Sequence, residues 1–462
     1  MPPVPPIQEE HITYVKATCH CGLNALRAGF PTESLPISSD LCHCSSCRHS
    51  SGQMAVYHVS VVSLLCAEID EPFHAHGLHE DGDLVAYQTS ETAINYFCRV
   101  CSSHLLFQSL RKPEGEGWCV AAGALEKTEG IVQVGYHAWV EDTLDGGLAE
   151  HLRTLDGVEL PRYSRAPKAD TLPLGWKHPS ILVNQDDELH FSCHCQAVQF
   201  KITRPNTQSD LPQAPFPDIL YPHDITRLAK VRNPRDIKWW LRPADTLLPN
   251  KYLAGHCACH DCRLTSGFEL SSWAYVPLAN IVDNNGEPMV LRSLPDPATE
   301  YQQVMDRLAI PTSPRRTPSP APSPRTKGLS QYIVSPGRYR EFCATCGAAV
   351  FSWRLSQPDL VCVAIGLVDE RQCGARAEPW FDWCLKRVGY MEQAVSNTAE
   401  ALAAGLREVQ NEQGSDDTSA RSESPQPATS ISLGLDKLDV DTWDKLRSEV
   451  QVLEAQALAA KA

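Results

Sequence analysis

Cys42, Cys44 and Cys47 fall within six residues, in Cys42-His43-Cys44-Ser45-Ser46-Cys47-Arg48, with Ser51-Gly52 just beyond. The same C-x-C-x-x-C-R-x-x-S-G pattern returns at Cys257, Cys259, Cys262, Arg263, Ser266 and Gly267. Three neighbouring cysteines cannot all pair with one another as disulfides. They can all bind one zinc ion, and three thiolates leave one corner of its tetrahedron open. Water or an incoming thiol could take that corner. Zinc lowers the pKa of a bound thiol and presents it as the nucleophilic thiolate, and it can also polarise a carbonyl. His49 stands near the first triplet, but its counterpart in the second is Leu264, so histidine is not a ligand common to both. Arg48 and Arg263 directly follow the last cysteine, where a fixed cation would offset the excess negative charge of three thiolates.

A second kind of group surrounds each triplet. Cys19 and Cys21 precede the first and Cys98 and Cys101 follow it; Cys193, Cys195, Cys343 and Cys346 flank the second in the same way. Two distant pairs that converge make a closed four-thiolate zinc site, which has no position left for chemistry and ties remote segments together. Such a site can contribute on the order of 10 kcal/mol to folding. Loading of all four groups would give up to two zinc ions per domain and about four per chain. The remaining cysteines, Cys66, Cys119, Cys362, Cys373 and Cys384, stand singly and are read as small core residues.

The elements that must position these cysteines are short. Apolar, β-branched runs such as Met54–Val59, Ala93–Phe97 and Cys119–Ala122 recur between turn residues about every ten positions, which predicts a mainly β chain. Leu189–Cys195 matches residues 14–21, Arg340–Gly347 matches 96–102, and Cys362–Gly366 echoes Cys119–Gly123, so the order of segments is duplicated. The expected organisation is a flexible 1–10, a first domain over 11–155, a Pro-rich linker over 156–188, a second domain over 189–392 and a helical, partly disordered tail over 393–462. The second copy is longer: Cys195 to Cys257 spans 62 positions against 21 from Cys21 to Cys42. It also carries a Ser/Pro/Arg-rich insertion at about 311–328, expected to be disordered. In the tail, Ala394–Val409 is expected to be helical and 411–430 polar and disordered. Trp443, Leu446, Val450 and Leu453 recur at helical spacing, a stripe that would pack on its own domain or serve self-association.

With 462 residues, 42% hydrophobic and 21% charged, the chain is globular and too long for a single compact core. A net charge of −15 argues against general nucleic-acid binding; Arg315, Arg316, Arg325 and Lys327 form the only basic tract. No apolar run is long enough to span a bilayer, and the Pro-rich start lacks the features of a secretory signal. The expected location is intracellular, the cytoplasm first, with the nucleus left open.

Cys19-His20-Cys21-Gly22, Cys42–Gly52 and Phe97-Cys98-Arg99-Val100-Cys101 resemble the C-x-C-G, C-H-C-x-x-C-R-x-x-S-G and F-C-x-x-C-G motifs of the glutathione-dependent formaldehyde-activating enzyme family, which includes the centromere protein V domain. The resemblance extends over roughly 12–150 and again over 188–390. It departs at Ser102, Gln196 and Ala258, where the family has Gly, Gly and His. It implies two tandem β-tent domains of antiparallel strands, each with a structural zinc on the outer cysteine pairs and a catalytic zinc on the triplet. The implied reaction joins glutathione and formaldehyde into S-hydroxymethylglutathione, as a carbon–sulfur lyase. Two readings from other classes stand beside it: a non-catalytic zinc scaffold that binds protein or chromatin, and a redox or metal-buffer protein.

Overall fold

The computed structural model describes residues 11–67, 71–73, 84–113, 116–181, 187–223, 231–244, 248–291 and 326–420, with side chains of the last stretch through 413. Residues 1–10, most of the 311–328 insertion and the Trp443–Leu453 stripe lie outside the described residues.

The first half contributes β1 (Ile12–Thr18), β2 (Ala25–Pro31), β3 (Ile37–Cys42), helix α1 (Ser45–Ser51), β4 (Val56–Ser60), β5 (Ser63–Cys66), β6 (Leu84–Ser90), β7 (Ala93–Cys98), β8 (His104–Ser109), β9 (Trp118–Ala121) and β10 (Val132–Ala138). A small hairpin, β11 (Thr154–Leu155) and β12 (Val158–Glu159), follows. The second half contributes β13 (Glu188–Ser192), β14 (Gln199–Thr203), β15 (Leu241–Arg242), β16 (Lys251–Cys257), helix α2 (His260–Ser266), β17 (Ser271–Pro277), β18 (Ile281–Val282), β19 (Leu329–Ser335), β20 (Arg338–Cys343), β21 (Ala349–Arg354) and β22 (Gln357–Ala364). A short helix α3 (Glu370–Cys373), β23 (Phe381–Trp383) and a long helix α4 (Thr398–Ala420) complete it.

The chain is mainly β. The large sheet of the first half runs β10-β3-β4-β9-β8-β7-β6, beside a small sheet β1-β2-β5. The second half repeats that order as β16-β17-β22-β21-β20-β19 with β23 on β16, beside β13-β14-β18, and β15 is an addition at the edge. Among the described strands, pairing is antiparallel apart from one pair in each half, where β10 lies parallel to β3 and β23 parallel to β16. A parallel pair needs a long crossover, and here residues 43–131 lie between β3 and β10 and residues 258–380 between β16 and β23.

Strand alternation decides which cysteines are core. Val361 and Val363 are fully buried in β22, and the residue between them, Cys362, faces the other way and is half-buried. In β9, Val120 is buried and Cys119 turns toward Ser60, with Sγ 3.6 Å from Oγ. The expectation that Cys119 and Cys362 are core residues is therefore corrected by the two-residue period of a strand. Cys373 and Cys384 are buried as expected, and Cys66 is intermediate.

The buried apolar side chains of both halves form one contiguous cluster, from Val15 to Leu406. The contacts that join the halves are reciprocal, as in an isologous dimer. The Gly123 amide donates to the Gly267 carbonyl at 3.0 Å, and the Gly366 amide to the Gly52 carbonyl at 3.2 Å. His20 Nδ1 lies 2.7 Å from the Tyr332 hydroxyl, and His194 Nδ1 lies 2.6 Å from the Tyr87 hydroxyl. The Pro-rich stretch after β12 lies against the first half, with the His137 amide donating to Pro161 O and the Trp139 amide to Arg165 O.

Helix α4 starts later and runs further than its sequence suggests. Leu402 and Leu406 are fully buried, and Gly405 lies so close to the His151 carbonyl that a side chain there would collide with it. Beyond Val409, Arg153 donates to Glu412 at 2.8 Å, which carries the helix into a stretch whose composition reads as polar coil. Among the described residues no helix is long and apolar enough to cross a membrane.

Candidate metal centres

Cys19, Cys21, Cys98 and Cys101 converge, and so do Cys193, Cys195, Cys343 and Cys346; within each set all the sulfurs lie within 4.8 Å of one another. The turns that bring them together hang on the sulfurs themselves. The Asn24 amide donates to Cys19 Sγ at 3.3 Å, and the Val198 amide donates to Cys193 Sγ at 3.3 Å. Neighbouring sulfurs are 3.4–3.6 Å apart, far beyond a disulfide bond. The edge of a tetrahedral four-thiolate zinc site is ~3.8 Å, so both sets fit such an ion.

The replaced glycines keep the geometry of their turns. Gly22 and Gly347 have φ of +78° and +76°. Their counterparts Gln196 and Ser102 adopt φ of +63° and +59°, and each closes the same turn: Gln196 N donates to Cys193 O, and Ser102 N to Cys98 O. A side chain in this left-handed region costs roughly 1–2 kcal/mol, small beside what metal binding can supply.

Cys42, Cys44 and Cys47 also lie within 4.8 Å of one another, as do Cys257, Cys259 and Cys262. Their local frame is the same in both halves. The middle cysteine is the N-cap of a seven-residue helix: Cys44 Sγ accepts from Cys47 N at 3.4 Å and Cys259 Sγ from Cys262 N at 3.3 Å. Gly52 and Gly267, with φ of +77° and +70°, end the two helices. Among the described residues no fourth His, Cys, Asp or Glu lies within ligand distance of either triplet. His49 faces away, toward Ser192 O at 2.7 Å and Glu370 at 3.2 Å.

The thiols of a triplet cannot all carry charge side by side. Hydrogen bonds from Cys42 and Cys47 hold the Cys44 thiol well below its usual range, and those two thiols are themselves pushed well above it. Cys262 is lowered by Cys257, Cys259 and then Arg340, while Cys257 rises. A divalent cation reconciles such a donor set by stabilising every thiolate at once.

Arg48 helps to lower the Cys44 thiol, as its position suggests, and both arginines after the triplets have a further task. Arg48 is fully buried and turns back: Nε donates to His43 O, Nη2 to Asp142 O, and Glu370 of the second half lies 3.2 Å away. Arg263 Nη1 donates to Gly123 O at 2.7 Å and Leu125 O at 2.9 Å, in the first half. Both are inter-half clamps. The cation that does touch a triplet is Arg340, whose Nη2 donates to Cys262 Sγ at 3.2 Å. It sits 78 positions along the chain from Cys262, so no local spacing pointed to it; its place three residues before Cys343 in β20 was the available signal.

A fifth group was also missed. His20, His260 and Asp261 cluster where the halves meet. Asp261 is held by Arg338 at 2.7 Å and by His20 at 3.1 Å, so its carboxylate already has a cation and the group acts as a bridge between the first four-cysteine loop and α2.

The two triplets differ in exposure. All three cysteines of the first are partly exposed, whereas Cys259 and Cys262 of the second are buried. A cavity of about 90 Å³ adjoins the second, lined among others by Phe216, Trp273, Tyr275, Arg338, Arg340 and Arg354.

Residues 14–142 match the glutathione-dependent formaldehyde-activating enzyme family. That stretch holds the first triplet and the first four-cysteine group, and it is less than a third of the chain. No curated protein and no solved structure matches the chain. A related zinc-binding character therefore attaches to the first half, and glutathione is the small-molecule partner that the family suggests.

Proposed function

We propose that this chain is a zinc-dependent carbon–sulfur lyase that adds a thiol to a small aldehyde, with glutathione and formaldehyde as the pair and S-hydroxymethylglutathione as the product. The observation that carries this reading is the triplet Cys42, Cys44 and Cys47: it lies in the family-matched stretch and no fourth protein ligand is within reach among the described residues. A zinc ion there would lower the pKa of an arriving thiol. The carbon–sulfur bond forms between the thiol sulfur and the aldehyde carbon, the carbonyl π pair moves to oxygen, and the thiol proton ends on the new hydroxyl. The end of β3 places Cys42, helix α1 with its cap places Cys44 and Cys47, and Arg48 fixes the loop between them by bonding the His43 carbonyl. The two four-cysteine groups are structural zinc sites.

The second half is read as a further copy, bounded at about 189–392 against 11–155 for the first. The repeated strand order and the matching α1 and α2 caps support that reading. It makes Cys257, Cys259 and Cys262 a second reactive set.

The test is a lyase assay of the zinc-loaded full chain with glutathione and formaldehyde, on Cys44→Ser, Cys259→Ser and the double variant. Loss of activity in Cys44→Ser with both four-cysteine sites still loaded supports the reading. Full activity in the double variant, or none in the wild type, leaves a zinc scaffold in its place.

A further inference from the structure

The cavity beside the second triplet is built for an anion. Arg340 is 2% exposed and lines it. One of its nitrogens is bonded to Cys262 Sγ and its guanidinium carbon lies 5.0 Å from the centre of the Trp273 ring, but Nε and Nη1 have no hydrogen-bond partner. Buried guanidinium donors left unpaired are costly. Arg354 lines the same space; burial works against its charge, and its neighbours, first Tyr390 to which it hydrogen-bonds, more than offset that. Arg338, the third, is already engaged by Asp261.

The first half lacks all three cations. In the second half Arg338 pairs with Arg354 and Arg340 with Ser352 across β20 and β21. In the first half the same register pairs Ala93 with Ser109 and Asn95 with Phe107 across β7 and β8. So Ala93, Asn95 and Ser109 stand where Arg338, Arg340 and Arg354 do. With a divalent ion offsetting two of three thiolate charges, Arg340 and Arg354 leave this site with one positive charge in surplus.

The roof sets the size of the ligand. The segment 215–219, part of the long connection that only the second half has, closes over the triplet. Asp218 is pinned by Arg387 at 2.9 Å and by the Tyr390 amide at 2.6 Å, and Ile219 rests on Gly255. Asp218 thus spends its carboxylate on the Tyr390 amide and on Arg387, which it shares with Glu392 at 2.8 Å, and not on Arg340 or Arg354. About 90 Å³ is room for a few waters, far below the several hundred Å³ of a pocket for a drug-sized molecule. A tripeptide does not fit inside.

We infer that the second triplet's cavity binds a small carboxylate of two or three carbons, its carboxylate on Arg340 and Arg354 and its other end toward Cys257, Cys259 and Cys262. Resting on the lyase reading, this makes the substrates of the second site an aldehyde acid and a thiol smaller than glutathione: the thiol sulfur bonds the aldehyde carbon, the carbonyl π pair moves to oxygen and the thiol proton goes to that oxygen.

Calorimetric titration of the zinc-loaded full chain with acetate, and with acetamide as its neutral isostere, tests the site without recourse to activity. Acetate is expected to bind and acetamide not, and Arg340→Met and Arg354→Met are each expected to weaken acetate at least tenfold. Arg354→Met, nearer the mouth, stands as an independent variant if Arg340→Met fails to fold. No acetate binding, equal binding of acetamide, or undiminished binding in a folded variant overturns the inference. Failure of the lyase reading would show in the activity of Cys44→Ser and leave acetate binding intact.

Discussion

The Gly123 amide donates to the Gly267 carbonyl at 3.0 Å, so the helix cap behind the second triplet is also a backbone rung between the halves. Gly267 has φ of +70°, and a Cβ there would lie 2.4 Å from the His104 carbonyl oxygen, which belongs to the opposite half. Gly175 has φ of +72° with nothing within 4 Å of its would-be Cβ. Gly175→Ala is therefore expected to cost only the left-handed strain, about 1 kcal/mol, and Gly267→Ala that strain plus displacement of backbone, at least about 2 kcal/mol more. Denaturant unfolding of the two variants checks this. Equal costs would mean that the halves do not meet here.

Glu370 is the polar anchor of the same interface. It accepts from Ser45 Oγ at 2.6 Å and lies 3.2 Å from both Arg48 and His49. Burial raises its carboxyl, but the His49 hydrogen bond and the Arg48 charge outweigh that and hold it well below the usual carboxylate range. Arg48 is fully buried and Glu370 14% exposed, so breaking the pair strands a buried charge. Glu370→Gln should lower stability by about 3 kcal/mol. Glu141→Gln, whose partner Arg165 is 69% exposed, should cost at most about 1 kcal/mol. Thermal unfolding of the two variants separates them, and a cost for Glu370→Gln no larger than that for Glu141→Gln would contradict the clamp.

His104 carries a pH signature. Burial lowers its pKa to about 4, against a smaller opposing effect of its bond to Gly347 O in the other half. An unfolded histidine titrates near ~6.5. Between those values the unfolded chain binds the extra proton, so stability falls as pH drops from about 6.5 to about 4 and the contribution is whole above about 6.5. In His104→Gln the slope of unfolding free energy against pH should be shallower by nearly one proton, about 1.4 kcal/mol per pH unit. Denaturant midpoints across that window measure it, and an unchanged slope would place the missing protons elsewhere.

The four cysteine groups were legible in the sequence because a C-x-C or C-x-x-C pair is a local signal, written within a few residues. So was the mainly β character, since the short apolar runs Met54–Val59, Ala93–Phe97 and Cys119–Ala122 each supply a strand. The surroundings of the triplets were not. Arg340 in β20 reaches Cys262 in α2 from 78 positions along the chain, and residues 215–219 reach the same site from an unremarkable Pro-rich connection. The clamp role of Arg48 and Arg263 was hidden for the complementary reason: adjacency in sequence to a ligand says nothing of the partners a guanidinium finds in the other half. That the halves would be bound face to face by Gly52, Gly267, His20 and His194 has no signature in either half alone.

The central claim is that each triplet holds a metal ion with one position free for a thiol. Cobalt(II) is a visible reporter of thiolate number at a zinc site. The chain fully loaded with cobalt should hold about four ions, and added glutathione should change the thiolate-to-cobalt absorption in the wild type but not in the Cys44→Ser, Cys259→Ser double variant. A fully loaded protein whose spectrum is indifferent to glutathione, or a limit of two ions per chain, would contradict it.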